Sequence, residues 1–149
     1  MMFMAGMTLA PAHGGAIEPY PGPMRAEVVR VIDADTIRVR VKVWPTVEIL
    51  ATVRLRGVDT PEKGRRASCA RERALAATAT RHVRELLPPG RVVLIRNVRL
   101  GKYAGRVLAD VAFKDVAGRW KDLARTLIRQ RLGRPYGGGH RGSWCERDR

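Results

Sequence analysis

The chain is poor in aromatic residues, cysteine, histidine and acids, and each shortage removes a class of function. Phe, Trp and Tyr make up 5% of its 149 residues, too few for the stacked rings on which single-strand-binding platforms rely. Two cysteines occur, Cys69 and Cys145, with no Cys-x-x-Cys, and His13, His82 and His140 are scattered. Neither residue type has the ligand spacing of a structural zinc site. No apolar run approaches the roughly 20 residues that span a bilayer. The run at residues 1–12, MMFMAGMTLAPA, ends in the small-x-small shape of a signal-peptidase site and is expected to be a shortened secretory leader, giving a secreted or periplasmic protein. No Lys or Arg precedes it, as would also hold for an irregular head in a cytoplasmic protein. In an oxidising compartment Cys69 and Cys145 are expected to form one bridge; in the cytosol they stay free thiols.

Against 14 Asp plus Glu stand 29 Lys plus Arg, a formal net charge of +15. Charge of one sign on this scale points to polyanionic partners. The length suffices for one domain with a core and is too short for two ordinary ones.

Residues 13–25 are rich in Gly and Pro and read as a lead-in, so that residues 1–25 precede a single domain at 26–136, followed by a Gly-rich basic tail at 137–149. From Thr36 to Val43 polar and apolar residues alternate strictly, as in a half-buried strand. Alternation resumes at Val47, Ile49, Ala51, Val53 and Leu55, expected inward, against Glu48, Thr52, Arg54 and Arg56, expected outward. Residues 67–87 lose this period and place Leu75, Ala79, Val83 and Leu86 at helical intervals before Pro88-Pro89-Gly90. Runs at 91–98 and 106–113 read as a second hairpin, and 122–132 as a short helix capped by Gly133. The result is an α+β chain, mainly β, whose strands could close as a small barrel.

Three turns carry the chemistry. The segment VRLRGVDTPE at 53–62 ends in Asp59 and Glu62, with Pro61 restricting the backbone between them. The second is VIDADT at 31–36, and the third begins at Lys102-Tyr103-Ala104-Gly105-Arg106. Asp35, Asp59 and Glu62 are hard oxygen donors without a soft partner, a set suited to Ca²⁺ and, less well, to Mg²⁺. Arg54 and Arg106 supply planar, permanent charge of the kind that offsets the transition state of phosphodiester hydrolysis. Taken singly, acids in turns more often satisfy backbone donors, and arginines on a basic chain are more often solvated.

Together, VIDADT, VRLRGVDTPE and KYAGRVLADV resemble the signature segments of the thermonuclease, or staphylococcal-nuclease-like, family over about residues 26–136. The resemblance implies an OB-fold, a five-stranded antiparallel barrel with two or three helices, and Ca²⁺-dependent hydrolysis of DNA and RNA. The chain is expected to act as a monomer, with no obligate protein partner evident in the sequence. It implies Asp35, Asp59 and the carbonyl of Thr60 as metal ligands, and Arg54, Glu62 and Arg106 as catalytic residues. Tyr103 and, more distantly, Tyr136 are implied as substrate contacts. A non-catalytic OB-fold that binds nucleic acid is the alternative. The chain departs from the family pattern at Ala34, where Gly is usual, at Gly101, where an acid is usual, and at the extra Ala104 before Gly105.

Overall fold

The computed structural model describes residues 19–102 and 105–145. Strands β1 (Met24–Asp33), β2 (Thr36–Trp44) and β3 (Val47–Leu55) form an antiparallel meander. After the short β4 (Val58–Asp59) and a single 3-10 turn at Gly64–Arg66, helix α1 (Ala70–Leu86) leads to β5 (Val92–Leu100) and β6 (Arg106–Lys114). β5 pairs antiparallel with both β1 and β6, and β6 returns to β3 as a parallel partner. The ring β1-β2-β3-β6-β5 is therefore closed, which removes the exposed edges an open sheet would present. The architecture is the five-stranded OB-type barrel, elaborated by β7 (Trp120–Asp122), helix α2 (Leu123–Arg129) and β8 (Arg134–Pro135).

The barrel closes because one side of each strand is branched and apolar. Val28, Ile37, Val39, Val53, Val93, Ile95 and Val111 fill the interior with almost no exposure. Truncating one of the larger of these, such as Ile37, to Ala would cost about 2–5 kcal/mol. Helix α1 lies over β1 and contributes Ala79, Val83 and, just past its end, Leu87. The Pro88-Pro89-Gly90 stop is anchored where Gly90, at φ +84°, donates its N–H to Val28 O at 2.8 Å. No helix among the described residues is long and apolar enough to cross a membrane.

Two expectations from the pattern are corrected. Val47 and Ile49, expected inward, are 45% and 46% exposed. β6 pairs with β3 only along Thr52–Leu55, so the tip of the β2–β3 hairpin projects past the ring. The second helix ends at Arg129, and Arg131, not Gly133, takes the left-handed backbone at φ 58°. Gly133 has another use: a Cβ there would lie 2.6 Å from Val58 Cγ2, so its lack of a side chain lets the chain press onto β4. β8 then pairs with β4, Asp59 opposite Arg134, and the tail is delivered to the Asp59 corner.

Candidate active site

The β1–β2 turn presents Asp35. Ala34, in place of the usual Gly, is buried in the core and keeps its backbone out of the left-handed region, so the turn needs no glycine there. Asp35 Oδ1 accepts the Thr36 hydroxyl at 2.9 Å, and Oδ2 accepts the Thr60 hydroxyl at 2.6 Å. The same Oδ2 is ion-paired with Arg54 Nη1. Thr60 thus uses its hydroxyl to brace an acid, leaving its carbonyl as the group implied for a cation.

Arg54, expected on the outer face, is only 8% exposed. Alternation tells which side of β3 it occupies but not that the 33–36 turn and the 59–62 loop cover that side. Burial, and then the nearby charge of Arg141, lowers its pKa to about 10, with Asp59 opposing and Arg106 adding to the fall. The guanidinium lies between the two buried acids, with Nη2 3.9 Å from Asp59 Oδ1.

Asp59, also buried, accepts the Trp144 indole N–H on Oδ2 at 3.2 Å. Its Oδ1 accepts no hydrogen bond and has Arg141 Nε at 3.3 Å. Glu62 Oε1 lies 2.8 Å from Arg141 Nη1, and Oε2 lies 3.1 Å from Arg66 Nε. Asp59 and Glu62 line one pocket together with Arg141 and Trp144. Asp35, Glu62, Arg54, Arg106 and Arg141 line a cavity of about 310 Å³.

Arg106 reaches this cavity with Ala104 present. The hairpin closes through Gly101 N–H to Arg106 O at 2.9 Å, and a Cβ at 101 would lie 3.1 Å from the Arg106 carbonyl carbon. The usual acid is therefore sterically barred from Gly101 here. Tyr103 and Ala104 lie outside the described residues, as does the 1–12 run. Tyr136 is not among the cavity's lining residues: its hydroxyl donates to Gly139 O at 2.9 Å, and Arg141 lies 5.5 Å from its ring.

Sequence reasoning missed Arg141 and Trp144. The signal available was the Trp144-Cys145 pair, unusual in a Gly-rich polar tail. Cys145 is joined to Cys69, the N-cap residue of α1, with Cα atoms 5.9 Å apart.

Among the described residues no group of three or more His, Cys, Asp or Glu gathers as a metal site. Asp35, Asp59 and the Thr60 carbonyl are nonetheless compatible with a hard cation, because Asp59 Oδ1 is a buried acceptor that takes no hydrogen bond. Such a donor set suits Ca²⁺, whose remaining positions water and phosphate oxygens can fill.

An OB-type barrel with acids and arginines converging on one cavity defines a nuclease-type or nucleic-acid-binding domain. The chain belongs to the staphylococcal nuclease homologue family, whose model matches residues 52–138, more than half of its length. That match includes Arg54, Asp59, Glu62 and Arg106, and ends before Arg141 and Trp144. No curated protein matches the chain.

Proposed function

We propose that this protein is a calcium-dependent nuclease that hydrolyses phosphodiester bonds of DNA and RNA with little sequence or sugar preference. The observation that carries this reading is the convergence of Arg54, Arg106, Asp35 and Glu62 on one cavity, with Asp59 beside it. Ca²⁺, held by Asp35, Asp59 and the Thr60 carbonyl, would supply Lewis-acid polarisation of a phosphate oxygen and of water. Glu62 orients the attacking water and accepts its proton as the new P–O bond forms. The P–O bond to the leaving oxygen breaks and that oxygen takes up a proton from water, giving a phosphate monoester and a free hydroxyl. Arg54 and Arg106 offset the charge that builds on the phosphate oxygens. Tyr103 and Tyr136 are retained as candidate substrate contacts. No constellation suits base-edge readout, so affinity is expected to come from phosphate contacts on a chain of net charge +15.

The disulfide supports export to an oxidising compartment, with residues 1–12 as the leader. One observation favours a second reading as a binding module: Asp35, Asp59 and Glu62 are each engaged by an arginine. In-gel cleavage of DNA and RNA, with calcium and with chelator, separates the two. Calcium-dependent cleavage supports the nuclease; binding without cleavage under both conditions overturns it in favour of the module.

A further inference from the structure

The tail lines the pocket that holds Asp59 and Glu62, and its course is fixed at both ends. Tyr136 N–H donates to Gly57 O at 3.1 Å, and Cys145 is bonded to Cys69. Just before the first anchor, Arg134 Nη1 donates to Ser143 O at 2.7 Å, and its guanidinium stacks 3.9 Å over the Trp144 ring. Trp144 is 8% exposed, whereas Trp44 and Trp120 are 70% and 39% exposed. The result aims two side chains at the acids: Trp144 at Asp59 Oδ2, and Arg141 at Asp59 Oδ1 and Glu62 Oε1.

We propose that segment 137–145 is a working part of the cation site, in which Trp144 positions the Asp59 carboxylate and Arg141 holds Asp59 and Glu62 until a divalent cation and a substrate phosphate displace it. This rests on the calcium-dependent reading above. The indole N–H ties one carboxylate oxygen without neutralising it, and leaves the buried Oδ1 without a hydrogen bond. Donors behind a ligating group commonly govern metal affinity in this way. Arg141 does the opposite. It is a cation at the oxygen a metal must take, and like charges cannot both occupy it. Its side chain is 43% exposed, so a released guanidinium regains water, whereas the Asp59 carboxylate, 6% exposed, is left for the cation. Once released, the guanidinium stays tethered beside Arg54 and Arg106, where a phosphate arrives.

Calcium titration by calorimetry and tryptophan emission, on the full oxidised chain without nucleic acid, tests this in Trp144→Phe and Arg141→Gln. Phe keeps a ring for Arg134 to stack on, and thermal melts establish that each variant is folded. Arg141→Gln is expected to bind calcium about two- to fivefold more tightly, on the order of an ion pair with one part-exposed partner. Trp144→Phe is expected to bind about tenfold more weakly, as when the partner behind a metal ligand is lost. The calcium-dependent change in emission should disappear with it. Either folded variant binding with wild-type affinity, while the wild type binds calcium and cleaves, overturns the role of segment 137–145 and leaves the nuclease reading standing. A wild type that neither binds calcium nor cleaves overturns that reading and the role of segment 137–145 together. Should Trp144→Phe fail to fold, Arg141→Gln decides.

Discussion

Oε1 of Glu72, buried in the first turn of α1, accepts the backbone N–H of Glu62 at 3.1 Å. The other oxygen accepts Ser68 N–H at 2.7 Å, so one carboxylate ties the helix start to the loop that carries the proposed base. Replacing Glu72 with Ala strands both donors, at about 1–3 kcal/mol for each left unsatisfied. A lower melting temperature and a lower kcat should appear together, read by calorimetric melts and steady-state cleavage. Unchanged values in both would show that the loop holds its place without this brace.

Glu62→Gln keeps size and hydrogen-bonding capacity and removes the charge that accepts the proton. Turnover is expected to fall by about 10²- to 10⁴-fold. Nucleic-acid affinity and melting temperature should change little, because the ion pairs lost to Arg66 and Arg141 involve a part-exposed carboxylate. Arg106→Ala should also cripple turnover, by loss of charge stabilisation. Near-wild-type cleavage by Glu62→Gln in calcium would return this acid to a turn residue.

Asp35→Ala removes a proposed ligand but not the water-activating group. Cleavage should fall at low calcium and recover in part as calcium is raised, an outcome a calcium titration of kcat/KM would reveal. It also leaves Arg54 buried with less compensation, so a fall in stability of about 3–5 kcal/mol is expected from breaking a buried pair. Loss of activity that no calcium concentration relieves would argue against ligation by Asp35.

The bridge between Cys69 and Cys145 spans a sequence separation of 76. Thiol titration of the unfolded, unreduced protein should find no reactive thiol, and Cys145→Ser should lower stability by about 2–5 kcal/mol. Two reactive thiols would refute the bridge.

Asp115 sets part of the acid limit. Backbone N–H donation from Arg119, reinforced by its side chain and by Ala117, holds the carboxyl below its ordinary value of 3.8, against a smaller desolvation effect. The stabilisation from this group is present in full above pH 3.8 and is lost as pH falls through the lower folded value. Asp115→Asn should therefore be less stable than wild type at neutral pH, with the difference shrinking below that range. A pH-independent difference in acid unfolding curves would contradict it.

The alternation of β2 and β3, the helical spacing before Pro88-Pro89-Gly90, and the residues of the three turns were legible in the sequence because strand and helix periods and turn chemistry are local. From them came the two main hairpins, α1, and the set Asp35, Arg54, Asp59, Glu62 and Arg106. Barrel closure through β3 and β6, and the burial of Arg54, could not be read so, because each depends on segments far apart in the chain covering one another. Trp144 and Arg141 lie furthest from the pattern: Trp144 meets Asp59 across 85 positions, through a contact made by one Gly133 without a side chain and one disulfide. Sequence by itself thus determined the candidate groups that the three turns carry. Tertiary structure alone decided which acid faces which cation, since a carboxylate's partners depend on distance in space and not on spacing along the chain.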